Sequence, residues 1–157
     1  WSITCRSVIH YEQHIHPLWN LDRGADTCTG CHNPVNPQFP LHQLDLTDGA
    51  SGDQPDHFKA YRELLVTDNF QDFIDGTLQD VLVPAIDPVT GLPVMVPVPV
   101  APSMSAGGAR ASNTFFSRFD AGGSHAGRLD PAELRLLAEW LDIGAQYYNN
   151  PFAVPLN

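Results

Sequence analysis

The chain has 157 residues, 43% of them apolar, 10% aromatic and 17% charged, which is the composition of a globular protein able to bury a core without crosslinks. A formal net charge of -10 argues against a nucleic-acid binder, whose partner demands lysine and arginine, and suits an acidic surface that could steer a basic partner. With 14 prolines and 12 glycines, much of the backbone is expected to be irregular.

The chain opens at Trp1 with no initiator methionine and no charged-then-apolar leader, so we expect a processed chain or a segment of a longer one. From Ser7 to Leu21, apolar Val8, Tyr11, Ile15, Leu18 and Trp19 recur near the helical period, and Pro17 predicts a bend around His16. His10 and His14 share a face at the i, i+4 spacing that can grip a metal, although a solvated helical face accounts for them more simply. A polar turn, Asp22 to Asp26, leads into Cys28-Thr29-Gly30-Cys31-His32. Asn33 to Pro40 reads as an irregular loop and Leu41 to Leu46 as a short extended stretch.

Asp45, Asp48, Asp53 and Asp56 follow among glycine and serine, without the spacing of an EF-hand, and read as a solvated acidic loop. Asp56 to Val66 predicts a helix with Asp56 as its N-cap. Val81 to Val98 predicts two extended arms around a turn at Asp87 to Gly91. Its prolines (84, 88, 93 and 97) exclude a membrane-spanning helix, so no membrane span is expected. Ser112 to Phe119 predicts a short helix, followed by a flexible loop, Asp120 to Gly127. The strongest helix signal comes last: Asp130 as N-cap, Pro131 at the first position, Glu133 closing a capping box and Gly144 as the stop. The expected organisation is one domain over 1–157, with a core at about 7–79 and 103–147, a surface insertion at about 80–102 and an irregular tail at 148–157.

The chemistry concentrates at residues 28–32. Two thiols that can each reach a vinyl group, followed at once by an imidazole, are what covalent haem attachment requires. A zinc knuckle would need two more Cys or His ligands at short spacing, and the remaining thiol, Cys5, stands alone. A thioredoxin-like pair would need a βαβ context, which is missing here. Cys28, Cys31 and His32 therefore predict one covalently attached haem c, with His32 as the proximal iron ligand. Cys5 is expected to be an inert thiol or a contact with a partner chain.

Several stretches resemble a known family. The frame YEQHIHPLWNLDRGADTCTGCH from Tyr11 to His32, Leu44-Asp45-Leu46, Ala60 to Leu65 and the closing Leu129 to Ala145 are similar to the planctomycete-type and hydrazine synthase alpha-subunit-like bacterial cytochrome c domains. The similarity spans most of the chain outside Val81 to Pro102. It implies a mainly α, cytochrome c-like fold: a few short helices around one haem, long loops, a Pro-rich extended or β-hairpin insertion, and aromatic contacts from Tyr11, Trp19 and Trp140 between the first and last helices.

In that family the loop before the closing helix commonly supplies the distal ligand as Met-Pro-Pro. Here the equivalent stretch, Gly122 to Leu129, has no methionine, so His125 becomes the expected distal ligand and Met104 the alternative. A bis-His haem would have the lower potential and a His/Met haem the higher. The function implied is electron transfer by a mono-haem domain in the periplasm or outside a bacterial cell. It would work with other redox proteins or haem domains, in a homo- or hetero-oligomer, and without a catalytic residue. A catalytic haem with an open distal site and a structural haem-relay module are the alternatives.

Overall fold

A computed structural model describes residues 8–148. Its first feature is a wide turn: Tyr11–Ile15 forms a π-helix in which the His16 N–H reaches the Tyr11 carbonyl at 2.8 Å. Pro17 then opens helix α1, Pro17–Asn20, where its missing amide leaves no bond unmade. Single helical turns follow as α2, Cys28–Cys31, and α3, Phe39–His42. Helix α4 runs Lys59–Leu65. Its start lies later than Asp56 because Phe58 is held extended, bridged to Ala50, with its amide donated to the Tyr147 hydroxyl at 2.9 Å.

Six short strands come next, in three antiparallel pairs. Strand β1, Asp68–Asn69, pairs with β6, Pro99–Val100; β2, Gln71–Ile74, with β3, Thr77–Asp80; and β4, Leu82–Ile86, with β5, Pro93–Pro97. Strand pairing thus begins at Asp68, well before the expected insertion. The arm is moored to the end of α3 by one side chain: Gln43 donates to the Gln71 carbonyl at 2.6 Å and accepts from the Gln71 amide at 2.7 Å.

The region expected as one helix over 112–119 is broken into a 3-10 turn, Arg110–Ser112, helix α5, Asn113–Phe116, and another 3-10 turn, Ser117–Phe119. Helix α6, Pro131–Asp142, is the longest. Asp130 accepts from the Ala132 and Glu133 amides and Glu133 accepts from the Asp130 amide, closing the capping box the residues predict. Gly144, at φ 95°, ends the helix in the left-handed region.

The expectation of a mainly α, cytochrome c-like fold is overturned. Helices of every kind account for 35% of the described residues and strands for 17%, so the chain is a mixture of short helices and small antiparallel ladders. Proline and glycine are the physical reason: they leave only α6 room for three turns and turn the middle of the chain into hairpins.

The core forms where side chains of α6 pack against the N-terminal turns, Trp140 against Tyr11 among them. Tyr11, Ile15, Ala60, Leu64, Leu137, Trp140 and Leu141 have no exposed surface. Arg23 fastens the same ends together, pairing with Glu133 and donating to the Leu18 carbonyl at 2.7 Å. Among the described residues no helix is long and apolar enough to cross a membrane.

Candidate functional site

Thr27, with extended backbone, starts the single turn of α2, and its hydroxyl accepts the Arg23 amide at 2.9 Å. The turn closes with the His32 amide on the Cys28 carbonyl at 2.8 Å. Asn33 and Asn36 satisfy the outward carbonyls: the Asn33 amide donates to Thr29 and Gly30, and that of Asn36 to Gly30. Cys28 and Cys31 sit at i, i+3 on this turn, so their side chains leave it on one side. Both are unpaired and half-buried. Burial holds the Cys28 thiol above its ordinary range, with Arg23 working against that shift.

Cys28 and His32 both line one open cleft. Buried Leu44, Leu46 and Leu64 give it an apolar base, and Trp19, Phe115 and Phe119 add aromatic surface. The Leu46 amide donates to the His32 carbonyl at 3.0 Å, so the extended Leu44–Leu46 segment fixes the motif against this base.

His125 lines the same cleft. Its ring centre lies 5.9 Å from that of His32, with the planes inclined by 23°. The glycine-rich loop makes this approach possible. Gly123 packs so closely that a Cβ there would meet the Arg118 carbonyl oxygen at 2.3 Å, and the His125 amide donates to that same carbonyl at 2.8 Å. The Ser124 hydroxyl stands 2.8 Å from His125 Nδ1. When Nδ1 donates to it, Nε2 is left as an unprotonated lone pair.

A third imidazole, absent from the sequence-based site, joins them: His42, at the end of α3, has its ring centre 5.2 Å from that of His32. Only an exposed histidine at the end of a short segment marks it in the sequence; the αL residue Gln43 that turns the chain there is a tertiary fact. Burial, then His42 and His125, bring the His32 pKa down to about 4, which keeps its ring neutral and able to ligate. Burial, then Arg128 and Arg118, lower that of His125 as well. Arg118, Arg128 and Asp26 also line the cleft, and Arg128 pairs with Asp26 at 3.3 Å.

Met104 is placed elsewhere. It is 2% exposed within the hydrophobic core, its amide bonded to the Leu64 carbonyl at 2.8 Å, and it does not line the cleft. The His14 Nδ1 accepts the His10 amide, and His16 pairs with Asp48 at 2.6 Å, so the histidines before the motif are engaged locally. Asp45 is paired with Lys59 and Asp53 with Arg62, so these carboxylates do not converge on a shared point. Among the described residues no three His, Cys, Asp or Glu side chains come together as a metal-holding group. Cys5 lies outside the described residues.

Of the residues expected to hold a haem, Cys28, His32 and His125 line the cleft and Cys31 does not. Two imidazoles each ~2 Å from one metal ion have ring centres roughly 6 Å apart, close to the separation of His32 and His125. The cleft is apolar at its base and carries two arginines, which suits a haem's apolar ring and carboxylates. Compared with known proteins, the chain matches no family model, no curated protein and no solved structure.

Proposed function

We propose that the chain carries one haem c, bound covalently through Cys28 and Cys31 and ligated by His32 and His125, and that it transfers electrons. The observation that carries this reading is the near-parallel approach of His32 and His125 in a cleft lined by the first cysteine of the motif. When bound, the haem supplies a one-electron redox centre. His32 offers a neutral ring. The Ser124 hydroxyl, against His125 Nδ1, would fix that ring's orientation and leave Nε2 free to ligate. Leu44, Leu46 and Leu64 exclude water from the macrocycle's apolar face, and Arg118 and Arg128 offer charge to its carboxylates. The resemblance of residues 11–32 to bacterial cytochrome c domains supports the haem, but not their fold.

Covalent haem attachment implies a bacterial periplasmic or extracellular site of action, and other redox proteins or haem domains as partners. Expression with a c-type maturation system tests the proposal. Haem that stays with the denatured chain, and is lost from Cys28→Ala/Cys31→Ala, supports attachment. Low-temperature EPR of the oxidised protein should then read bis-His, and a high-spin signal would sink the six-coordinate version.

A second reading, a catalytic haem with an open distal side, is favoured by His42: a third imidazole this near His32 could serve as an acid–base group. Carbon monoxide binding to the ferrous wild-type protein separates the two, since only an open site takes it readily.

A further inference from the structure

All four tyrosines of the chain lie together on the side of the core reached from the cleft through Trp19. Trp19 lines the cleft and its indole N–H donates to the buried Tyr11 hydroxyl at 3.2 Å. Tyr11 stacks on Tyr147 with ring centres 5.5 Å apart and planes 25° apart. Tyr147 in turn lies 4.7 Å from half-buried Tyr148 and 4.2 Å from His57. Short steps between oxidisable rings carry charge faster than one long step, because electron tunnelling falls exponentially with distance.

One member of the chain differs from the others in its proton. The Tyr147 hydroxyl donates to Glu12 Oε1 at 2.5 Å while accepting the Phe58 amide. Tyr61 and Tyr148 donate to backbone carbonyls, which are too weakly basic to keep a proton. The partner described for the Tyr11 hydroxyl is an N–H, itself a donor. A phenol loses an electron readily only if its proton has somewhere to go, and at Tyr147 a carboxylate is already in place.

We propose that Tyr147, paired with Glu12, is a redox-active tyrosine connected to the cleft through Tyr11 and Trp19. In the step, a high-potential one-electron oxidant in the cleft is reduced by one electron. Tyr147 supplies that electron through Tyr11 and Trp19, and its O–H bond breaks as the proton passes to Glu12. A neutral tyrosyl radical and a protonated Glu12 remain, and any one-electron reductant at the surface restores both. The relay's cleft end rests on the second haem reading, with an open distal side, because a closed bis-His haem of lower potential is too weak an oxidant for tyrosine. The Tyr147–Glu12 pair does not depend on a haem.

The test has two arms on the full chain. In the first, flash-generated tris(bipyridyl)ruthenium(III) oxidises the protein and EPR reads the radical. The expected tyrosyl signal survives Tyr148→Phe, is lost in Tyr147→Phe, and forms on the order of a hundredfold more slowly in Glu12→Gln, the lower end of what a removed general base costs. A signal that follows Tyr148, that survives Tyr147→Phe, or that ignores Glu12→Gln overturns the assignment. In the second, hydrogen peroxide delivers oxidising equivalents to the haem-loaded chain. Tyr11→Phe should then abolish the Tyr147 radical while leaving it intact in the ruthenium arm, and an unchanged peroxide signal overturns the relay. If no haem is bound, the Soret band is missing and the haem reading fails, while the ruthenium arm still decides Tyr147.

Discussion

His32 and His125 face each other with ring centres 5.9 Å apart, one closing the motif near the start of the chain and the other hanging from a glycine loop near its end. Burial lowers the pKa of both, helped at His32 by the two neighbouring imidazoles and at His125 by Arg128 and Arg118, so both hold a lone pair at neutral pH.

The distal assignment separates His125 from Met104. In the haem-loaded protein, His125→Ala should convert a low-spin ferric EPR signal to high spin and let the ferrous form bind carbon monoxide. Met104→Leu should leave the spectrum unchanged and cost less than about 1.5 kcal/mol of stability, as a volume-conserving core exchange does. A spectrum that follows Met104 instead of His125 would refute the assignment.

Gly123 should tolerate no side chain. A Cβ at 2.3 Å from the Arg118 carbonyl forces the loop away from Ser117–Phe119 and carries His125 with it. Gly123→Ala is expected to cost roughly 1–3 kcal/mol, the usual range for overpacking, and to weaken the bis-His EPR signal. Thermal melts alongside EPR would show both effects, and a wild-type spectrum in this variant would detach the loop from the site.

Arg23 and Glu133 join the N-terminal turns to α6, with side chains only 14% and 15% exposed. Arg23→Ala leaves a poorly solvated carboxylate and an unanswered Leu18 carbonyl, for an expected loss of about 3 kcal/mol. Glu133→Gln, which can keep the cap to Asp130, should lose less. Urea titration of both single variants and the double variant would give the coupling; additive losses would mean that the pair does not couple the two ends.

Glu63 gives the fold a pH dependence away from the cleft. Burial, followed by Asp68, raises its carboxyl pKa from 4.5 to about 8. The folded chain therefore holds more protons than the unfolded chain between those values, and Glu63's contribution to stability falls as pH rises through that window. Glu63→Gln should match wild type near pH 4 and exceed it at pH 8. Melting temperatures across the range check this, and parallel curves for the two proteins would contradict it.

The Asp130–Glu133 cap was legible in the sequence because a helix start is a local object. Cys28, Cys31 and His32 stand out as a motif because they fall within five positions. That His125 comes close to His32 accords with a histidine in a glycine-rich loop that can approach a neighbour. His42 was missed, since nothing nearby in sequence tells that the helix ended by the left-handed Gln43 lies with its last residue beside His32. Met104 looked much like His125, each in a glycine-rich stretch, and only packing against Leu64 took it into the core.

Local chemistry, then, determined the motif, the closing helix and its caps, and the exclusion of a membrane helix through the proline-rich segment. The overall architecture did not follow from these. Short helices interrupted by proline and glycine carry little preference of their own, so tertiary contacts decided that the middle of the chain pairs as strands and that α6 packs against the Tyr11 turn. The same contacts brought His32, His42 and His125 to one cleft, and gave Tyr147 a carboxylate from Glu12. A side chain's neighbours across the core are set by how buried surfaces fit, and that fit is written in no single stretch of residues.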